Sequence, residues 1–255
     1  IYNLNIIFSY YSMKIAFCFL TIGNITQPKL WYKFFKGHED KCNIYIHNKN
    51  NFVDRQYKFH KFSLKQRVPT KWGHISLVEA TLLMFKQAFI SDKENTFFVL
   101  LSDSCIPLYN FDYIYEKISK LNNNIINVIP NRQISRFSSF RNPQFFDKKT
   151  FLKQEQWICL HRITLKMFLD SLFYLNVFGN RFDVPDEHYF INIAYKHKIS
   201  FVSQPITFTN WKDNDSGNHP KLYNKITMDE IESIKKENPN VFFMRKISSD
   251  CKLPN

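Results

Sequence analysis

The chain's 255 residues are enough for one sizeable buried core, and a composition of 44% hydrophobic against 22% charged residues excludes a disordered chain. A formal net charge of +13 points to an anionic partner, but nucleic acid, acidic lipid and a nucleotide diphosphate all satisfy it. The five cysteines are odd in number and show no CxxC spacing, which excludes a zinc ribbon or a dense disulfide framework and reads as reduced thiols.

The chain opens on Ile1, and Met13 immediately precedes the first strand, so residues 1–12 read as a fragment end or upstream read-through and 13–255 as the folded domain. KIAFCFL at 14–20 is a short apolar run stopped by Thr21, Gly23 and Asn24; a helical stretch follows from Lys29, then a second strand, CNIYIH at 42–47. That β-α-β order implies a parallel sheet. Ser76, with Glu79 three residues on and an apolar face behind it, reads as a capping box opening a helix. FFVLL at 97–101 reads as a buried strand that delivers Ser102-Asp103-Ser104 to its C-terminal end, where open α/β sheets place their ligands.

Asn110 reads as the cap of a helix through Lys120, and residues 125–130 as a strand. Residues 131–150 read as a loop in which Arg132, Arg136 and Arg141 interleave with Phe137 and Phe140. WICL at 157–160 reads as a short strand and 164–175 as an amphipathic helix. Pro185 fits the first position of a helix running to Tyr195, with Asp186 and Glu187 in its first turn. FVSQPITFTN then reads as one strand, Thr227 and Glu230 as a capping box, and VFFMRKI as a last strand. No repeat, interdomain linker, signal peptide or run of about 18 apolar residues is visible, so no membrane span is expected in this chain.

Taken in order, KIAFCFLT, WYKFFKGHEDKCNIYIH, KWGHISLVEATLL, FFVLLSDSCIPLYNF, RNP at Arg141, QEQWICLHR, VPDEHYF, NWKDNDSGNHP and VFFMRKIS resemble the core-2/I-branching N-acetylglucosaminyltransferase family, most closely its plant-type branch. The family also takes in peptide xylosyltransferases. The resemblance implies a single-domain α/β fold of the GT-A type, with a Rossmann-like, mostly parallel sheet flanked by helices. It also implies inverting transfer from a UDP-sugar, with N-acetylglucosamine or xylose as the sugar and a glycan or glycoprotein hydroxyl as acceptor. No metal and no further cofactor is implied. Relatives are usually anchored in the Golgi; the features of this chain by themselves suit a cytoplasmic or viral-factory enzyme, and its oligomeric state is left open.

Inverting transfer needs one carboxylate to take the acceptor proton and a cation to neutralise the departing diphosphate. By resemblance the base is Glu187 of VPDEHYF, held ionised by the helix start, with Asp186 and His188 beside the acceptor. The family's last-strand cation maps onto Lys246, beside Arg245, and Lys212 is the candidate for a second cation. Thr21 and His47, which end the first two strands, and Asp103 and Ser104 beyond the third, are expected at the nucleotide. Asp103 alone makes a poor site for a hard dication. Trp72, Gln156 and Trp157 are candidate acceptor residues, a Trp face being suited to sugar C–H groups. Two rival readings stand beside this one: a sugar- or nucleotide-binding protein without catalysis, and a basic protein whose Arg/Phe loop stacks on nucleic acid.

Overall fold

The computed structural model describes residues 13–254 except 54, 131–136, 138–139, 141, 180–181 and 213–218. Arg132, Arg136 and Arg141 therefore lie outside the described residues, as does the 1–12 segment.

The main sheet grows from its most apolar strand. In β1 (Lys14–Thr21) residues 15–19 are fully buried, so both faces must be covered. β1 pairs in parallel with β2 (Cys42–Asn48) on one side and β3 (Asn95–Ser102) on the other. Phe17 meets Phe34 and Phe35 of α1 (Pro28–Phe35) and Phe111 of α3 (Phe111–Ser119) on one face. On the other face Phe98 meets Phe85 and Phe89 of α2 (Ser76–Ser91).

Beyond β3 the sheet continues through β6 (Lys153–His161), β5 (Asn124–Ile129) and the two-residue β7 (Phe201–Val202), giving the order β2-β1-β3-β6-β5-β7. β6 is antiparallel to both neighbours, pairing Phe97 with His161 and Val99 with Cys159. Continuing that register sets residues 153–157 beside and beyond Ser102, at the edge where β1, β2 and β3 end. This is the GT-A-type α/β arrangement the resemblance implies, with one strand reversed within an otherwise parallel sheet.

Two small sheets close this edge. β4 (Ile106–Pro107), β10 (Phe243–Arg245) and β8 (Thr207–Thr209) form one, and β11 (Ile247–Lys252) with β9 (Tyr223–Lys225) the other. Phe243 packs on Phe17 and Trp31, joining them to the main core. A satellite core of Ile106, Leu108, Ile226, Val241, Met244 and Ile247 lies under α7 (Met228–Glu237), and Tyr109 packs against both cores. α7 carries the expected Thr227/Glu230 capping box, and Asn110 caps α3 by accepting from the Tyr113 N–H.

Several expectations are corrected. Ser76 is the first helical residue rather than the cap; its hydroxyl accepts from the Lys71 N–H and bonds His74, tightening the turn before the helix. The 164–175 helix is two helices, α4 (Arg162–Asp170) and α5 (Tyr174–Phe178). The strand at 157–160 is four residues longer at its start. FVSQPITFTN divides between two sheets as β7 and β8, and VFFMRKI breaks at Lys246 into β10 and β11.

The helix expected from Pro185 begins as a single 3₁₀ turn, Pro185–Glu187, then breaks at His188 before α6 (Tyr189–Lys196). No helix among the described residues is long and apolar enough to cross a membrane. All five cysteines are buried and unpaired, as expected of reduced thiols.

Candidate active site

The Pro185–Glu187 turn follows Val184, whose φ of 48° is left-handed and whose N–H donates to the Gly73 carbonyl at 2.9 Å. Glu187 projects from that turn to the start of β6, where its Oε2 pairs with Lys153 Nζ at 2.9 Å. Lys153 is only 9% exposed, whereas the Glu187 side chain is 26% exposed. The helix start expected to hold Glu187 ionised is not continuous with it, because the helical backbone is broken at His188. Its cationic neighbour is the buried Lys153.

His188, expected at the acceptor, is packed inside the fold. Its ring is fully buried, stacks on Phe151 at 5.2 Å, meets Phe182 edge-on, and bonds the Leu152 carbonyl through Nδ1 at 2.8 Å. Asp186 is half-buried on the same turn as Glu187.

Four residues along β6, Trp157 is 5% exposed and carries the Arg245 guanidinium 4.5 Å above its ring. One face of the ring expected at the acceptor is thus covered by a cation of this chain. Arg245 ends β10, and its Nε is buried without a hydrogen-bond partner. Burial lowers the guanidinium from its ordinary value, against the attraction of Cys105 and Asp103, but an arginine this basic stays charged. Gln156 sits half-buried where β6 bulges against β5.

Lys246 is half-buried in the break between β10 and β11; its N–H donates to the Lys221 carbonyl at 3.4 Å, and its carbonyl accepts from the Tyr223 N–H. Lys221 is thus the lysine that the fold sets beside Lys246, with its ammonium 4.8 Å over the Tyr223 ring. Lys212 lies on an exposed turn held by its N–H to Asn210 Oδ1. Sequence reasoning missed Lys221 because Lys212 lies in the more distinctive NWKDN string; the only signal for Lys221 was its place just after Gly217-Asn218-His219-Pro220.

Of the residues expected at the nucleotide, Thr21 is paired with Asn48, and His47 with Leu20, at the ends of β1 and β2. All but Leu20 are nearly or fully buried, and Thr21 Oγ1, His47 Nδ1 and Asn48 Oδ1 have no hydrogen-bond partner. His47 Nε2 accepts from the Val68 N–H at 2.9 Å, and burial lowers its basicity, so the ring is neutral with its proton on Nδ1. Asp103 uses Oδ2 to accept from the Ile22 N–H at 3.0 Å, and its carbonyl holds Thr26. Ser104 is buried, bonded to Ser102, and its carbonyl accepts from the Ile247 N–H at 2.9 Å, next to Lys246. Among the described residues no group of three or more His, Cys, Asp or Glu side chains could hold a metal ion.

These contacts close into a circuit. Glu187 pairs with Lys153 on β6; Trp157, further along β6, lies under Arg245; Lys246 bonds Lys221; His219 meets Trp72 edge-on at 6.2 Å; and Gly73 holds Val184 at the base of the Glu187 turn. Trp72 is 73% exposed, an open aromatic face on the rim. At about 3.3 Å per residue, the β6 stretch from Lys153 to Trp157 spans at most about 13 Å. The Glu187–Lys153 pair and the Arg245–Trp157 pair therefore sit at the two ends of this short stretch of β6.

The profile of the Core-2/I-Branching enzyme family matches residues 15–236. "Glycosyltransferase BC10" of Oryza sativa subsp. japonica is 28% identical over 155 residues, which cover 58% of this chain and 38% of that protein, so the matched part is well under half of this curated relative. Among solved structures, the apo WbbM bifunctional glycosyltransferase aligns over 93% of this chain and 46% of its own, with 8% identity and a TM-score of 0.45. Apo mouse xyloside xylosyltransferase 1 aligns over 90% and 97%, with 11% identity and a TM-score of 0.38; neither similarity is close enough to carry weight. The family match extends from β1 into α7 and takes in every element of the circuit up to Lys221: the chain belongs to the core-2/I-branching enzyme family of glycosyltransferases.

Proposed function

We propose that this chain is an inverting, metal-independent transferase that moves a sugar, N-acetylglucosamine or xylose, from UDP to a hydroxyl of a glycan or glycoprotein. Glu187 accepts the proton of the acceptor hydroxyl while that oxygen bonds the anomeric carbon. The bond from that carbon to the diphosphate oxygen breaks, and its electron pair leaves with UDP. Lys246, with Arg245 and Lys221, meets the charge that develops on the leaving group; Asp103 is occupied by the Ile22 N–H and offers little to a dication. Thr21, His47, Asp103 and Ser104 line the nucleoside side. Gln156, Asp186 and the exposed face of Trp72 serve the acceptor.

The observation that supports this reading is that one strand, β6, carries both the lysine paired with Glu187 and the Trp157 ring under Arg245, the neighbour of Lys246. The test is Glu187→Gln assayed with UDP-sugars. UDP-sugar affinity is expected to persist while turnover falls by about 10²- to 10⁴-fold, the range for loss of a general base. Parent-like turnover would remove Glu187 from the mechanism.

The nucleic-acid reading finds no support in the Arg/Phe loop. Phe137 and Phe140 are buried in a cluster with Phe146, Phe151, Phe178 and Phe182, so their rings are not available to stack on bases.

A further inference from the structure

Residues 152–154, at the entry to β6, are bonded to residues 187–192 at every position. Leu152 N–H donates to Asn192 Oδ1 at 2.7 Å, while the Leu152 carbonyl accepts from Asn192 Nδ2 at 2.8 Å and from His188 Nδ1. Gln154, fully buried, accepts from the Ile191 N–H at 2.7 Å through Oε1. Between these two neutral anchors lies Lys153, whose ammonium pairs with Glu187.

The neutral bonds already satisfy what docking α6 onto β6 needs. A lysine in that place costs desolvation of its ammonium and the rotamer entropy of a long side chain. An apolar residue would cover the same backbone without either cost, since buried ion pairs are often neutral or unfavourable for stability compared with apolar replacements. The charge is therefore unexplained by packing alone. It falls on the carboxylate proposed as the base.

We propose that Lys153 is the positioning residue of the general base. A carboxylate can turn about its side chain; Lys153, held between two buried anchors, pairs with Oε2 and fixes the plane and rotamer in which the group meets the acceptor proton. Lys153 touches neither substrate in this scheme and takes no proton. The inference rests on the reading of Glu187 as the base.

The test uses the whole chain and compares Lys153→Met, Lys153→Arg, Glu187→Gln and the Lys153→Met/Glu187→Gln double variant, with a melting temperature and UDP affinity for each. Lys153→Met is expected to lower kcat by about 10²-fold, the scale of losing alignment at a reacting group, while donor KM stays near the parent value. Lys153→Arg, which keeps a cation at the site, is expected to recover most of that loss. The double variant is expected to turn over no more slowly than Glu187→Gln alone, because a residue that acts only through the base has nothing left to act on.

A structural role predicts a different pattern. Rates would follow melting temperature, and the two substitutions would multiply. Parent-like kcat in Lys153→Met, or multiplicative loss in the double variant, overturns the positioning role and leaves Glu187→Gln to decide the base on its own. Parent-like turnover in Glu187→Gln overturns both. If Lys153→Met does not fold, Lys153→Gln, which keeps a polar side chain of intermediate length, carries the same comparison.

Discussion

The guanidinium of Arg245 lies 4.5 Å over the ring of Trp157, so the aromatic residue most prominent in the QEQW segment is committed to a cation of this chain. Cation–π pairs contribute about 2 kcal/mol or more when desolvated. Trp157→Ala removes that face, opens a cavity in the core and leaves Arg245 without its cover. The expected loss is about 3–5 kcal/mol of stability, with weaker UDP binding; Trp157→Phe, which keeps a ring face, should lose far less. Chemical denaturation with UDP titration on both variants checks this, and a UDP affinity unchanged in folded Trp157→Ala would detach the pair from the donor site.

Lys221 and Lys246 are joined by a backbone hydrogen bond, whereas Lys212 stands on an exposed turn. Lys246→Ala and Lys221→Ala are each expected to lower kcat by about 10²- to 10³-fold, as for loss of one donor aimed at developing phosphate charge, and Lys212→Ala to change it little. The parent should keep its rate in excess EDTA and gain little from Mn²⁺. Abolition by EDTA with recovery in Mn²⁺ would replace the cationic mechanism with a metal-assisted one.

Trp72 presents its ring to solvent on the rim, against His219. Trp72→Ala should raise the acceptor KM, with donor KM and melting temperature near the parent values, since little packing is removed. On the scale of ring stacking on an aromatic side chain, on the order of 1–3 kcal/mol, the expected rise is about 5- to 150-fold in KM. Initial-rate kinetics with each substrate varied in turn separates the two constants.

Glu155 supplies a pH dependence of stability that is separate from catalysis. Burial pushes its carboxyl above the usual range, only partly opposed by a hydrogen bond to Asn127, and its Oε2 has no hydrogen-bond partner. The unfolded chain then loses this proton first as pH rises through about 4.3, while the folded chain retains it. Stability therefore falls with rising pH from there up to the folded-state pKa. Glu155→Gln should melt at a higher temperature than the parent near neutral pH and coincide with it near pH 4. Coincident curves throughout the range would show that the group ionises freely in the folded state.

How far the sequence carried depended on whether a residue's role is set locally. The Thr227/Glu230 box and the Asn110 cap were legible because both ends of each bond lie within three residues. The Ser76/Glu79 pair has the same spacing yet is no box, since His74 and the backbone of Lys71 compete for the Ser76 hydroxyl. Glu187 was found through its Pro-Asp-Glu setting, but its cation was not: Lys153 is thirty-four positions away in sequence and reaches Glu187 only after β6 has docked. His188 looked like a site residue by adjacency, although a break of one residue in the helix turns it inward among phenylalanines. Tertiary contacts decided each of these, and neither spacing nor periodicity encodes them.

The reversal of β6 changes the order in which a strand and its chemistry are written along the chain. In β3 the apolar run FFVLL comes first and its polar residues, Ser102-Asp103-Ser104, follow, because a strand running toward the active edge reaches it last. β6 enters from that edge, so Lys153, Glu155, Gln156 and Trp157 precede the apolar Ile158-Cys159-Leu160. A reader who looks for function downstream of each hydrophobic run will start β6 at its Trp and pass over the residues before it. Scanning upstream of a run is warranted whenever the strand before it in the sheet points the opposite way, and here that scan leads to the lysine that holds Glu187.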